Sequence, residues 1–192
     1  MNYGELKAAV KGYLHRGDVD AMLPVWLQLA EARIYGGEIN TPPLRIAEMA
    51  HSTSMAGPAR PADFLAARVI HEDGQPRHTL TLVPLESLAK SSRAFAWDGA
   101  ELSLSPDQSF PVTMHYWRRL PALVDDADTN ALLARAPGVY LSAMLVEGGR
   151  WARDDELGIR EAGNYTSAVN ALHSADAAAR FSGDVLTMRM PR

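Results

Sequence analysis

The sequence predicts an α+β protein: a bundle of about four helices with an antiparallel β subdomain inserted between the second and third. Three observations carry this. Apolar residues recur at helical spacing near both ends of the chain. Between residues 44 and 122 the pattern changes to strands and turns. Pro42-Pro43 stops helix at the first change of period, and Asp98-Gly99 marks a hairpin inside the middle stretch.

The first helix starts at Asn2, which can cap it. Glu5 stands three residues later, as in a capping box. Leu6, Val10, Tyr13 and Leu14 are its expected apolar face. Arg16-Gly17-Asp18 ends it. The second helix has Pro24 in its first turn, where a missing N–H is harmless, and Leu23, Trp26, Leu27, Ala30 and Ile34 as its stripe. Gly36-Gly37 closes it. The short connection predicts an antiparallel helical hairpin over residues 1–40.

Residues 41–122 form the β insertion, of about five strands. Leu65–His71, Thr79–Val83, Ala94–Trp97, Glu101–Ser105 and Phe110–Arg118 are the candidates. Pro84–Lys90 is a short helix between them. Leu120–Thr129 is a loop rich in Pro and Asp. Helix returns near Asn130 and restarts at Pro137, with Tyr140, Leu141, Met144 and Leu145 facing inward. Gly148-Gly149 is expected to interrupt it. Asp154 or Asp155 caps the last long helix, whose stripe is Ile159, Ala162, Tyr165, Val169 and Leu172. It ends near Phe181. The C-terminal helices occupy 123–182, and 183–192 is an extended tail. The simplest closure packs all four helices together as a single domain.

The composition excludes several classes of function. At 192 residues and 47% hydrophobic, the chain can bury roughly 70% of its unfolded surface without a disulfide or metal. It has no cysteine, so thiolate metal sites and cysteine nucleophiles are ruled out. The net charge of -4 argues against general DNA binding, which needs many Lys and Arg to release counterions. The acidic excess sits in residues 123–161, with 8 acidic and 4 basic side chains. The longest stretch free of charge, Ala162–Ala175, is 14 residues, short of the ~20 a membrane span needs. Glu5, Lys7 and Lys11 stand where an export signal would be apolar.

Motifs for chemistry are missing. There is no Walker loop, no GxGxxG turn, no GxSxG elbow and no HExxH. His71 and His78 flank Asp73 and could meet across a hairpin, but no third metal ligand stands beside them. Asp125, Asp126 and Asp128 hold only fragments of an EF-hand loop and read as a solvated, helix-capping segment. Trp117-Arg118-Arg119 puts an aromatic ring beside two cations at a strand end, able to grip a phosphate or an acidic partner or to snorkel. In the tail, Val185, Leu186, Met188, Arg189 and Met190 alternate apolar with polar, a pattern suited either to folding back on the chain's own domain or to docking on a neighbour by strand addition or groove filling. Nothing calls for a cofactor.

Short segments, in order, resemble a known family. They are Tyr3-Gly-Glu-Leu6, Leu29-Ala-Glu-Ala-Arg-Ile34, Pro61-Ala-Asp-Phe64, Tyr116 with Leu120-Pro-Ala-Leu123, Tyr140-Leu141, Arg153-Asp154-Asp155 and Ala175–Phe181. Together they are similar to the head-to-tail adaptor (connector) proteins of tailed double-stranded DNA phages, the tail tubular protein A-like group. Gly148-Gly149-Arg150-Trp151 departs from the smoother helical run expected there. The resemblance implies a virion protein with no catalysis, assembled in the host cytoplasm. It implies a ring, usually of twelve copies, beneath the portal, extending the channel through which DNA passes without specific binding. Portal, tail or nozzle protein and other copies of itself are the implied partners, with no membrane. The resemblance implies that the tail residues above reach the portal, and Trp117 and Arg118, from the aromatic–cation cluster, are the other expected partner-interface residues. The alternatives are another phage neck or tail-completion protein, or an enzyme with a site built from residues such as His71, His78 and Asp73.

Overall fold

A computed structural model describes residues 1–73 and 77–181. The chain is α+β, as its periodicities predict. It divides into two compact units: Met1–Ala47 together with the chain from Pro121 onward, and Glu48–Leu120.

The first unit is helical: α1 (Tyr3–Leu14), α2 (Leu23–Gly36), α4 (Ala131–Arg135), α5 (Pro137–Ala152) and α6 (Asp155–Phe181), with α3 (Leu85–Leu88) in the other unit. Asn2 and Glu5 form a reciprocal capping box at the start of α1. Asn130 caps α4, its side chain accepting from the Leu133 N–H at 2.9 Å. Asp154 caps α6 in the same way through Leu157.

The organising element is α5, which packs against α1, α2, α4 and α6. It is buried nearly all round, from Val139 and Tyr140 through Met144 and Leu145 to Gly149, as a central helix must be. This corrects two expectations. Helices α1 and α2 pack mainly on α5 rather than on each other as a hairpin. Gly148-Gly149 does not interrupt the helix, which runs unbroken through both. The two glycines are there for close approach. A Cβ on Gly148 would lie 3.1 Å from Leu14 Cδ1, and one on Gly149 would lie 2.9 Å from the backbone nitrogen of Gly158 in α6.

Two apolar stripes also differ from their expected course. Tyr13 is 59% exposed, and the buried face of α1 is Tyr3, Leu6 and Val10. Ile159 is 75% exposed, and α6 buries Leu157, Glu161, Tyr165, Val169, Leu172 and Asp176. Two carboxylates thus replace apolar residues on that face, each with partners. Glu161 accepts from Ser142 Oγ at 3.1 Å and Asn164 Nδ2 at 3.2 Å. Asp176 accepts the Ala47 N–H at 3.1 Å. An ionic cluster lies beside them: buried Arg33 reaches Glu147 at 2.5 Å and Glu38 at 2.6 Å, and Arg150 reaches Glu147 at 3.1 Å.

The second unit holds two three-stranded sheets. In the first, β6 (Val112–Arg118) lies between β1 (Ala50–Met55) and β2 (Phe64–Glu72), antiparallel to both. In the second, β4 (Ala94–Asp98) lies between β3 (Thr81–Leu82) and β5 (Glu101–Leu104). A shared core of Met55, Ile70, Leu80, Phe95, Leu102, Val112, Met114 and Tyr116 joins the sheets. Helix α3 (Leu85–Leu88) covers the other face of β4 through Leu88, Ala94 and Ala96. The β4–β5 turn carries Gly99 at φ 58°, a left-handed position that suits glycine.

The insertion is not wholly antiparallel. β3 pairs with β4 in parallel, because the segment between them carries α3 and crosses over rather than turning back. The structure also adds β1, an edge strand with only one β partner, absent from the predicted set.

Candidate functional site

The residues singled out in the sequence separate by face. Strand β6 alternates: Val112, Met114 and Tyr116 are buried in the core, while Thr113, His115 and Trp117 take the other parity on the outer face of the first sheet. Trp117 and Arg118 therefore point to opposite sides, and the cation next to Trp117 comes from another strand. The guanidinium of Arg68 lies 4.6 Å from the Trp117 ring centroid. It gets there because Ala67 pairs with Tyr116 and Val69 with His115, which leaves Arg68 as the extra residue of a β-bulge. No sequence signal marks that bulge. Arg119 is tied into the fold through its backbone N–H, which donates to the Asp63 carbonyl at 2.7 Å. The Asp63 carboxylate accepts the Tyr116 hydroxyl at 2.9 Å, and burial first, then this bond, pushes that phenol up to about 12.

The histidines do not assemble as the sequence allowed. His71 meets His115, not His78, at 5.5 Å between ring centroids. Asp73 faces neither ring as a partner. Its carboxylate accepts Thr113 Oγ1–H at 2.5 Å and Ser54 Oγ–H at 3.2 Å, lacing β1, β6 and the end of β2 together. Burial, then the nearby charges of His71, Arg68 and Arg77, hold His115 below its ordinary value. Among the described residues no group of three or more His, Cys, Asp or Glu is arranged to hold a metal.

The acidic loop of the first unit is structural at its base and open at its tip. The Asp128 carboxylate accepts the N–H groups of Val124 and Asp125, both at 2.8 Å, and these bonds lower its pKa. The carbonyls of Asp128 and Asp126 accept the N–H groups of Tyr3 and Gly4, which satisfies the start of α1. Asp126 also pairs with Lys7. Val124 is 73% exposed. Beside it lies a groove of about 670 Å³ lined by Tyr3, Lys7, Asp20, Val25, Glu31 and Val124. Sequence inspection marked the acids but not the groove, whose wall is the outward face of α2.

Val185, Leu186, Met188, Arg189 and Met190 lie outside the described residues. Among the described residues no helix is long and apolar enough to cross a membrane.

The sequence of this α+β chain fits the SU10 adaptor protein family over residues 1–189. The chain belongs to this family. It is a phage adaptor protein, a structural component of the virion whose partners are portal and tail proteins. No curated protein sequence matches the adaptor.

Proposed function

We propose that this adaptor is of the head-to-tail, tail tubular protein A-like type. It forms a ring of twelve copies beneath the portal, extends the DNA channel and presents the surface to which the tail attaches. The family match over nearly the whole chain carries this reading. The charge supports it as well: a chain with net charge -4 does not hold phosphate firmly, so DNA slides past. The tail residues Val185, Leu186, Met188, Arg189 and Met190 dock on the portal, with Met188 and Met190 as adaptable apolar contacts. Trp117 belongs to a second partner interface, which Arg118, on the opposite side of the sheet, does not share.

Removal of the adaptor from an assembling phage tests this. DNA-filled heads that carry portal but no tail are expected. Normally tailed, infectious particles without the adaptor would overturn the proposal.

A further inference from the structure

The outer face of the β1–β6–β2 sheet and the acidic loop of the helical unit are complementary. Each sets an apolar group among charges predominantly of one sign. On the sheet, Trp117 lies under Arg68, His115 and His71 touch each other, and Arg77 stands close enough to act on His115. The Asp73 carboxylate at the end of β2 is engaged by Ser54 and Thr113. Among the described residues neither Arg68 nor Arg77 has an ion-pair partner within 4.0 Å, and both are exposed. Cations gathered without counter-charge repel one another and favour an anionic occupant.

On the helical unit the signs are reversed. Val124 stands out from Asp125, Asp126 and Asp128, and Asp20 and Glu31 line the adjoining groove. Lys7 pairs with Asp126 and Lys11 with Asp20, and among the described residues Asp125 has no cation within 4.0 Å. Asp125 is exposed.

We infer that the outer sheet face of one copy docks on the Val124–Asp128 loop of a second copy, so that Arg68 and Arg77 meet Asp125 and Asp126 while Trp117 covers Val124. This rests on the ring reading above. Two unlike patches on one chain make a heterologous contact, the kind from which a ring is built when its rotation closes, whereas a self-complementary patch would stop at a dimer.

The absence of cysteine makes the test clean. Ser52, exposed on β1, and Ala127, exposed on the loop, are replaced together as S52C/A127C, and assembled particles are treated with a short bis-maleimide. A ladder of covalent multimers is expected, with none from either single variant. R68E/R77E should cut the ladder about tenfold, the size of one lost charge contact, and adding D125R/D126R should restore it. If R68E/R77E blocks assembly, restoration of particles by the four-site variant carries the same conclusion. A ladder from an amine cross-linker without one from the thiols would overturn the docking pair and leave the ring standing. No ladder from either reagent would overturn both. A thiol product confined to single chains, or Arg68-dependent binding of a single-stranded oligonucleotide by the pure adaptor with no thiol ladder, would also contradict the pairing.

Discussion

At the residue scale, neighbours of α5 decide what its glycines do. A helix normally gains by up to ~1 kcal/mol when an interior glycine becomes alanine. At Gly149 the new Cβ would meet backbone, the Gly158 nitrogen at 2.9 Å and the Asp154 oxygen at 3.1 Å, and backbone cannot move alone. Gly149→Ala should therefore lower stability by about 2 kcal/mol despite its better propensity. Gly148→Ala meets a leucine methyl at 3.1 Å, which can rotate, so its effect should be within about 1 kcal/mol of zero. Denaturant midpoints of the two variants separate the cases. His115 gives a pH signature. Its folded value lies below the ordinary 6.5, so the unfolded chain binds the proton more readily. The stability this group contributes is present above 6.5 and is lost as pH falls below it. His115→Gln should flatten the loss of stability on that acid side, as seen in urea midpoints across a pH series. An unchanged slope would mean that the imidazole is not held neutral by its surroundings.

At the element scale, α5 is the part on which the helical unit depends. Its Glu147 is buried and answers Arg33 from α2. Glu147→Ala leaves that guanidinium buried with Glu38 as its remaining acid and should cost about 3 kcal/mol by chemical denaturation. What the sequence made legible follows from local physics. The capping box at Asn2, the α2 stripe and the β4–β5 hairpin at Gly99 are set by neighbours three or four residues away, and all three stand in the structure. The misreadings come from tertiary contacts. Ala50-His-Ser-Thr-Ser-Met55 shows no apolar alternation, because an edge strand beside β6 needs only Met55 in the core. Gly148-Gly149 looks like a helix break until the helices on either side of it are known. Ile159 looks like core until Glu161 is found buried with partners from α5 and its own helix. The site was less legible still. Trp117 was visible as an aromatic beside cations, yet the cation it meets, Arg68, arrives through a bulge with no sequence mark.

At the scale of the whole molecule, the chain is a phage adaptor. Its 192 residues suffice for a core without help from other copies. The isolated adaptor should therefore be a monomer or weak oligomer by light scattering, and a stable dodecamer without portal would contradict this. Deletion of residues 184–192 should leave the melting temperature nearly unchanged while abolishing attachment to portal. A truncated chain that unfolds, or that still binds portal normally, would show that the segment is not the docking element.

The central claim is a ring of adaptor between portal and tail. Imaging of the head–tail junction in intact particles, with averaging around the channel axis, tests it most directly. Twelve copies of this chain in one layer against the portal, surrounding an open channel, are expected. Density for the chain elsewhere in the particle, or no layer of it between portal and tail, would contradict the account.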